Sequence, residues 1–253
     1  MNYFVNEKSI VRKIWGKGDT ILFIFAGASA EFALNKAVDW LYYTGRLPAD
    51  PIGRLFSTVT YARGIVFSSY AEALQVIDKI TQIHQGIEKS RGTEIPDWSY
   101  RDVLFMLIDY SIRSYELLER KLAAHEKEEV FEVFNRMGSR MGIKDLPESY
   151  EQWLQARYEH LQRDLVKSAH TVDLFRQYRK HLGLPRYLIL KQSQIMVVPA
   201  RVRQLLRLGR LPLLWPLLQV YKFTRIFRLD QLLRNAILPE AYKDQIKDLD
   251  VIK

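Results

Sequence analysis

Apolar residues recur every three or four positions along most of the chain, and strict alternation of apolar and polar residues is nearly absent. A spacing of three and four places apolar side chains on one face of a helix, whereas alternation would place them on one face of a strand. The pattern therefore predicts an all-α fold of about ten helices. Because no internal boundary stands out, we predict a single globular domain over residues 1–235, followed by a polar C-terminal tail at residues 236–253.

Capping residues indicate where three helices of the first half begin. Gly18-Asp19 offers a turn and a cap before an apolar helix predicted at Thr20–Lys36. Asp50-Pro51 combines a capping carboxylate with a proline at the first helical position, which predicts a helix to about residue 63. Ser69 is the predicted cap of a third helix, Tyr70–Ile87.

Proline and glycine divide the second half of the chain into further helices. These are predicted at Ser99–Ala124, Lys127–Met141 and Tyr150–Ser168. The remaining helices are predicted to break at Gly183-Leu184-Pro185, at Pro199 and at Pro212–Pro216.

The net charge of +9 is concentrated in one part of the 253-residue chain. Thirteen Lys or Arg and one acid, Asp230, lie between Arg176 and Arg234, while the rest of the chain is close to neutral. Cations separated by apolar residues fit an element that inserts into an anionic membrane surface. Core helices with basic outer faces would explain the pattern equally well. Nucleic acid is disfavoured, because the intervening residues are mainly aliphatic and no nucleic-acid-binding signature is present.

Several chemistries are excluded by composition and motif. With no Cys, the chain has no disulfide, no Cys-ligated zinc or iron–sulfur cluster and no thiolate-bound haem. Phosphate-binding glycine loops, H-E-x-x-H, the Glu-x-x-His pair of di-iron bundles and G-x-S-x-G are also missing. No signal peptide or membrane-spanning stretch is visible, so we expect a cytoplasmic location with at most peripheral membrane contact. Few enzyme chemistries remain without a bound cofactor.

Three residues are candidates for binding such a cofactor. His84 lies on the apolar stripe of its predicted helix, where a neutral imidazole could ligate haem iron or could be a core histidine bonded to a carbonyl. Arg54 and Thr58 are four residues apart and share a helical face. The arginine could pair with a haem propionate, and the threonine could bond a ligand. Alternatively, they are a surface arginine and a threonine bonded to its own helix.

The order and spacing of several short motifs resemble the family of the oxygenase MpaB and the rubber oxygenase (latex clearing protein) catalytic domain. The similarity extends from about residue 15 to residue 227. The motifs that carry it are Gly18-Asp19, Ala26-Gly27, the run Asp50–Thr58, Ile83–Gly86, Arg113–Glu116, Met141–Tyr150 and Val198–Arg203.

The resemblance implies an all-α fold that encloses a haem b pocket. His84 matches the proximal iron ligand of the family, and Arg54 and Thr58 match the arginine and threonine of the pocket, which we take as candidate catalytic residues. The implied function is a haem-dependent oxygenase that uses dioxygen on an apolar, isoprenoid or lipid-like substrate. The alternative is a non-catalytic haem-binding or membrane-peripheral helical module.

The sequence departs from the family pattern at three places, one of which is the absence of the usual H-P in the helix after Gly27. Ser57 occupies the position of a distal lysine ligand in the rubber oxygenases, so the sixth iron site is expected to be open or to hold water. Asp102-Val103-Leu104 replaces a W-x-H motif. Of the other histidines, His125 is expected to be solvated, and none of the remaining three is expected to contact iron; they are assigned to polar faces or loops: His160, His170 and His181.

Overall fold

Helices form nearly all the regular structure in the computed structural model, which describes residues 2–45 and 49–225. Their bounds are α1 Ile10–Trp15, α2 Gly18–Phe32, α3 Val38–Tyr43, α4 Pro51–Phe67, α5 Tyr70–Arg91, α6 Asp97–Leu118, α7 Ala124–Arg140, α8 Tyr150–Arg163, α9 Ala169–Val197, α10 Ala200–Leu206 and α11 Trp215–Arg225. These ranges contain no strand, only isolated bridges between Tyr3 and Ser69 and between Asn35 and Leu165. The predicted all-α fold is confirmed.

The centre of the core is the packing of α2 against α6. Gly27 of α2 permits the close approach, because a β-carbon at this position would overlap the ring of Tyr110 in α6. Trp15 adds a polar anchor to the same helix, with its indole N–H donating to Ser111 Oγ at 3.1 Å. The side chains of Trp15, Tyr110 and Ser111 are fully buried, so α6 is covered on several sides.

The predicted helix starts in the first half are confirmed at two caps. Asp50 Oδ1 accepts a hydrogen bond from Gly53 N at 2.8 Å, with Pro51 at the first helical position. Ser69 and Glu72 form a reciprocal capping box at the start of α5. Each cap satisfies backbone N–H groups that have no partner within the helix.

Several helix ends differ from the prediction, and at the end of α2 the cause is a side chain that turns the backbone. α2 ends at Phe32 rather than Lys36, since the amide oxygen of Asn35 accepts from Ala37 N at 2.8 Å and forms a turn. α6 ends at Leu118 instead of residue 124, and α8 ends at Arg163 instead of residue 168. α5, in contrast, continues to Arg91 before Gly92 closes it with a φ of 72°.

The basic third contains the predicted breaks. α9 bends at Gly183, whose φ of 71° and ψ of 164° are not helical, two residues before Pro185. Pro199 separates α9 from α10, and α11 starts at Trp215, after Pro212. The predicted tail at residues 236–253 and the predicted domain end at residue 235 lie outside the described residues.

Among the described helices, we find none whose length and apolar content would allow it to cross a bilayer.

Candidate functional site

The hairpin of α4 and α5 brings the two distant parts of the predicted haem site together. A β-carbon at Gly64 in α4 would lie 3.5 Å from Val76 in α5, which sets the register of the two antiparallel helices. From this contact α4 leads back to Arg54 and α5 leads forward to His84, so both residues lie towards the end of the hairpin that is away from its turn. The positive charge of Arg54 acts on the His84 imidazole, in agreement with this placement.

Two hydroxyl groups of α4 hold the Arg54 guanidinium. Its Nη1 donates to Ser57 Oγ at 3.0 Å and to Thr58 Oγ1 at 3.1 Å. Both hydroxyls in turn donate to the carbonyl oxygen of Arg54, at 2.7 and 3.3 Å. Thr58 is thus bonded to its own helix and also orients the guanidinium. A bond from Thr58 to a ligand stays a prediction.

His84 is a neutral, half-buried imidazole at neutral pH. Burial and, to a smaller extent, the charge of Arg54 lower its pKa, Glu88 partly opposes both, and the net pKa is about 4. Its Nδ1 is buried and has no hydrogen-bond partner among the described residues. An unsatisfied buried nitrogen costs about 1–3 kcal/mol, so the ring would gain from a partner that these residues do not supply. A neutral imidazole with an available nitrogen is what haem iron requires of a histidine ligand.

Tyr100 and Glu88 complete the surroundings of His84, and the sequence interpretation missed both. The Tyr100 ring meets the imidazole edge-on, with centroids 5.2 Å apart and planes at 65°. Its hydroxyl donates to Glu88 Oε1 at 3.0 Å, which also accepts from Ile95 N at 2.9 Å. Burial and Glu88 raise the pKa of Tyr100 above its usual range, so the phenol stays protonated. Glu88 could have been found, because it lies one helical turn after His84.

α3 packs against the C-terminal end of α5, two turns beyond His84. Arg91 lies over the ring of Trp40 at 4.0 Å and forms an ion pair with Asp39 at 2.9 Å. Tyr43 donates its hydroxyl to the carbonyl oxygen of Ser90 at 2.8 Å. These contacts fix the position of the helix that carries His84.

A surface cleft between the N-terminal segment and α7 lies in a different part of the molecule. Its lining includes Asn2, Tyr3 and Glu132. The backbone of Asn2 bonds to Tyr70 at the start of α5, and His84 lies 14 residues further along. At 1.5 Å per residue this separation is roughly 21 Å, so the cleft is not part of the His84 site. A pocket that encloses haem stays a prediction.

A second cluster of chemistry-bearing residues lies in the core between α2, α6 and α8. Arg157 donates to both carboxylate oxygens of Glu31, one of them at 2.7 Å, and to Asp109 Oδ2 at 2.9 and 3.1 Å. The Tyr110 hydroxyl donates to Glu31 Oε2 at 2.8 Å. Burial opposes the ionisation of Glu31, but Arg157 and His160 outweigh it and hold the pKa of this carboxyl well below its usual range.

His160 lies at the centre of this buried network, only 1% exposed. Its Nε2 is 2.8 Å from Glu31 Oε1, and its Nδ1 is 2.7 Å from Asp102 Oδ1 and 3.7 Å from Asp164 Oδ2. Burial alone would lower the pKa of His160, but the three carboxylates raise it to about 10. The ring is therefore an imidazolium at neutral pH.

The network is electrically balanced when His160 is charged. Arg113 and Arg163 supply two further cations at its more exposed edge. The network contains four carboxylates, those of Glu31, Asp102, Asp109 and Asp164. It also contains four cations, those of Arg157, His160, Arg113 and Arg163.

The grouping of Asp102, His160 and Asp164, with ligand atoms within 4.8 Å of one another, also resembles a metal-binding set. The 2.7 Å separation of His160 Nδ1 and Asp102 Oδ1 is an ion-pair distance. Nitrogen and oxygen ligands held at about 2.0–2.2 Å around a tetrahedral metal lie roughly 3.3 Å apart. The described geometry is therefore that of a charged network.

The sequence assigns His160 to a polar face or a loop and gives no indication that it is buried. The face is polar in composition, but its partners are carboxylates of α2 and α6, which bury it. His125 is exposed, as expected.

The described residues thus form an all-helical protein in which a neutral histidine of α5 feels the charge of a hydroxyl-anchored arginine of α4. The chain belongs to the family described as ER-bound oxygenase mpaB/B'/rubber oxygenase, catalytic domain, whose model matches residues 13–231. The expected family is confirmed, and the chain is a catalytic domain of an oxygenase family. Neither a curated protein nor a solved structure gives a significant match.

Proposed function

We propose that the protein is a haem b-dependent oxygenase that acts on an apolar, isoprenoid or lipid-like substrate, with His84 as the axial iron ligand. The observation that carries the proposal is the neutral His84 imidazole, with its unpartnered buried Nδ1, next to Arg54 on the neighbouring helix. Membership of an oxygenase family supports the reaction class.

The residues of this chain would bind and orient the cofactor, while haem b itself would supply the binding and activation of dioxygen. His84 offers a nitrogen lone pair without first losing a proton, since its pKa is about 4. Arg54 carries a charge that attracts a propionate, and Ser57 and Thr58 hold its guanidinium in place. Thr58 therefore acts in this proposal as a positioning residue as well as a pocket residue.

Ser57 supports an open sixth coordination site. A lysine at this position could supply a second strong ligand, whereas the Ser57 hydroxyl is engaged by Arg54 and by the helix backbone. An open site is what dioxygen binding requires. An apolar substrate is in keeping with Ile80 and Ile87, which extend the stripe of His84 along α5 and are partly buried.

Haemin titration of the purified chain tests the ligand. We expect a Soret band from the wild type and from His125→Ala, a matched control at an exposed histidine, and loss of most of the band from His84→Gly. Imidazole added to His84→Gly should restore the band, which separates a lost ligand from a misfolded protein. A colourless wild type, or a full Soret band from His84→Gly without imidazole, would refute the assignment.

Carbon monoxide distinguishes an oxygenase from a non-catalytic haem protein. With an open sixth site, the ferrous protein should bind carbon monoxide at once and shift its Soret band. A ferrous spectrum typical of two strong axial ligands that carbon monoxide does not change would favour a haem carrier or sensor instead.

A further inference from the structure

An exposed apolar ridge crosses the C-terminal part of the described chain. Leu184 and Leu188 lie one turn apart on α9 and are 51% and 52% exposed. Gln192 follows one turn later on the same face and accepts a hydrogen bond from Leu213 N at 2.7 Å. The loop before α11 is thereby fixed against the end of this leucine row.

α11 follows this loop and packs one of its faces against the core. Leu218 is buried, the Tyr221 hydroxyl donates to Asp19 Oδ2 at 3.1 Å, and Lys222 Nζ donates to the carbonyl oxygen of Leu117 at 3.2 Å. The outer face of α11 is nevertheless apolar. We use the name apolar ridge for Leu184, Leu188, Leu213, Trp215, Leu217 and Val220, each 46–72% exposed.

The surroundings of the apolar ridge are exclusively basic in sequence. Residues 174–225 contain eleven Lys or Arg and no Asp or Glu. Arg207 and Arg210 are exposed immediately before the loop that carries Leu213. Apolar side chains that are flanked by cations match a lipid surface. The apolar side chains enter the acyl boundary, and the cations contact lipid phosphates.

We propose that the apolar ridge and its flanking cations bind the surface of an anionic bilayer. A nucleic acid would match the charge but not the exposed aliphatic side chains, since unpaired bases stack on aromatic rings. The proposal does not depend on haem binding. Together with the proposed function, it would give an apolar substrate a direct route from the membrane to the protein.

Flotation of the full chain with vesicles tests the proposal. We expect binding to phosphatidylcholine vesicles that contain phosphatidylglycerol, at least tenfold weaker binding to phosphatidylcholine alone, and weakening by high salt. The variant Leu213→Ser/Leu217→Ser/Val220→Ser should lose at least tenfold in binding. Arg207→Gln/Arg210→Gln should lose part of the preference for anionic vesicles.

A matched control replaces exposed apolar residues elsewhere on the surface: Leu154→Ser/Val166→Ser/Val172→Ser, whose side chains are 44–50% exposed. This control should bind vesicles like the wild type. Circular dichroism and the Soret band after haemin addition should be the same in all variants, which separates this proposal from the haem assignment. No flotation of the wild type, equal loss in the control, or full binding by the Leu213 variant would overturn it, as would retention by DNA with no retention by vesicles.

Discussion

Replacement of His160 by glutamine removes one positive charge from the centre of the buried network while keeping a hydrogen-bond donor. The groups that face this ring are Glu31 from α2, Asp102 from α6 and Asp164 after α8, and Arg157 lies one turn away. With the charge gone, three carboxylates lose a shared cation. Because breaking a buried ion pair on one side costs about 3–5 kcal/mol, we expect a loss of this size in the free energy of unfolding at pH 6.

The loss in the free energy of unfolding caused by His160→Gln should become smaller as the pH rises. The pKa of His160 is raised from its ordinary value of 6.5 to about 10 in the folded protein, so its stabilisation is complete below pH 6.5. Between pH 6.5 and 10 the folded wild type holds one more proton than the unfolded chain. The stability that His160 contributes then decreases by about 1.4 kcal/mol per pH unit. The gap between wild type and variant should therefore close as the pH approaches 10.

Urea denaturation of the wild type and His160→Gln at pH 6, 7, 8, 9 and 10 measures this gap directly. Titration of lysines and tyrosines at high pH affects both proteins and cancels in the difference. His125→Gln, at an exposed position, is the control and should follow the wild type throughout. A gap below 1 kcal/mol at pH 6, or one that stays constant up to pH 10, would refute a buried imidazolium.

Three further changes have outcomes that the packing predicts. Gly27→Ala should lower the free energy of unfolding by roughly 1–3 kcal/mol because the new methyl group overlaps a tyrosine ring. Gly64→Ala should raise the free energy of unfolding by roughly 0.5–1 kcal/mol, since its new methyl group meets its neighbours at ordinary contact distances. The urea midpoints of the two variants test both expectations. Ser69→Ala should cost about 1 kcal/mol through loss of the capping box, and an unchanged midpoint would contradict it. Arg54→Met should raise the pKa of His84 from about 4 in the cofactor-free protein, which an NMR titration of the imidazole would detect.

The fold could be predicted because its signals are local. The caps at Asp50 and Ser69 act through hydrogen bonds to residues three positions away, and the breaks at Gly183 and Pro199 act through the backbone of the residue itself. The ends of α2, α6 and α8 could not be placed as well. At the end of α2, for example, Asn35 forms a turn and also donates to Asp102, 67 residues further along the chain.

The candidate functional site also has one part that the sequence predicts and one part that it does not. Arg54 and His84 lie on helices joined by two residues, so their proximity follows from a short hairpin. The buried network joins residues 31, 109 and 157, and pairs at such separation leave no periodic pattern. One signal was available, since Glu31 is an isolated acid in a long apolar helix, and such a residue must find a cation when the helix is buried.

The two clusters are connected through α6, which contributes to both. Tyr100 and Asp102 are two residues apart, so they point to nearly opposite sides of the helix, about 200° around its axis. Tyr100 meets His84 on one side, and Asp102 meets His160 and Asn35 on the other. A rotation of α6 by one residue position would move both contacts at once and leave a buried carboxylate without its cation. The charged network therefore fixes the rotation of α6, and this rotation determines how Tyr100 lies against the histidine that we propose as the iron ligand.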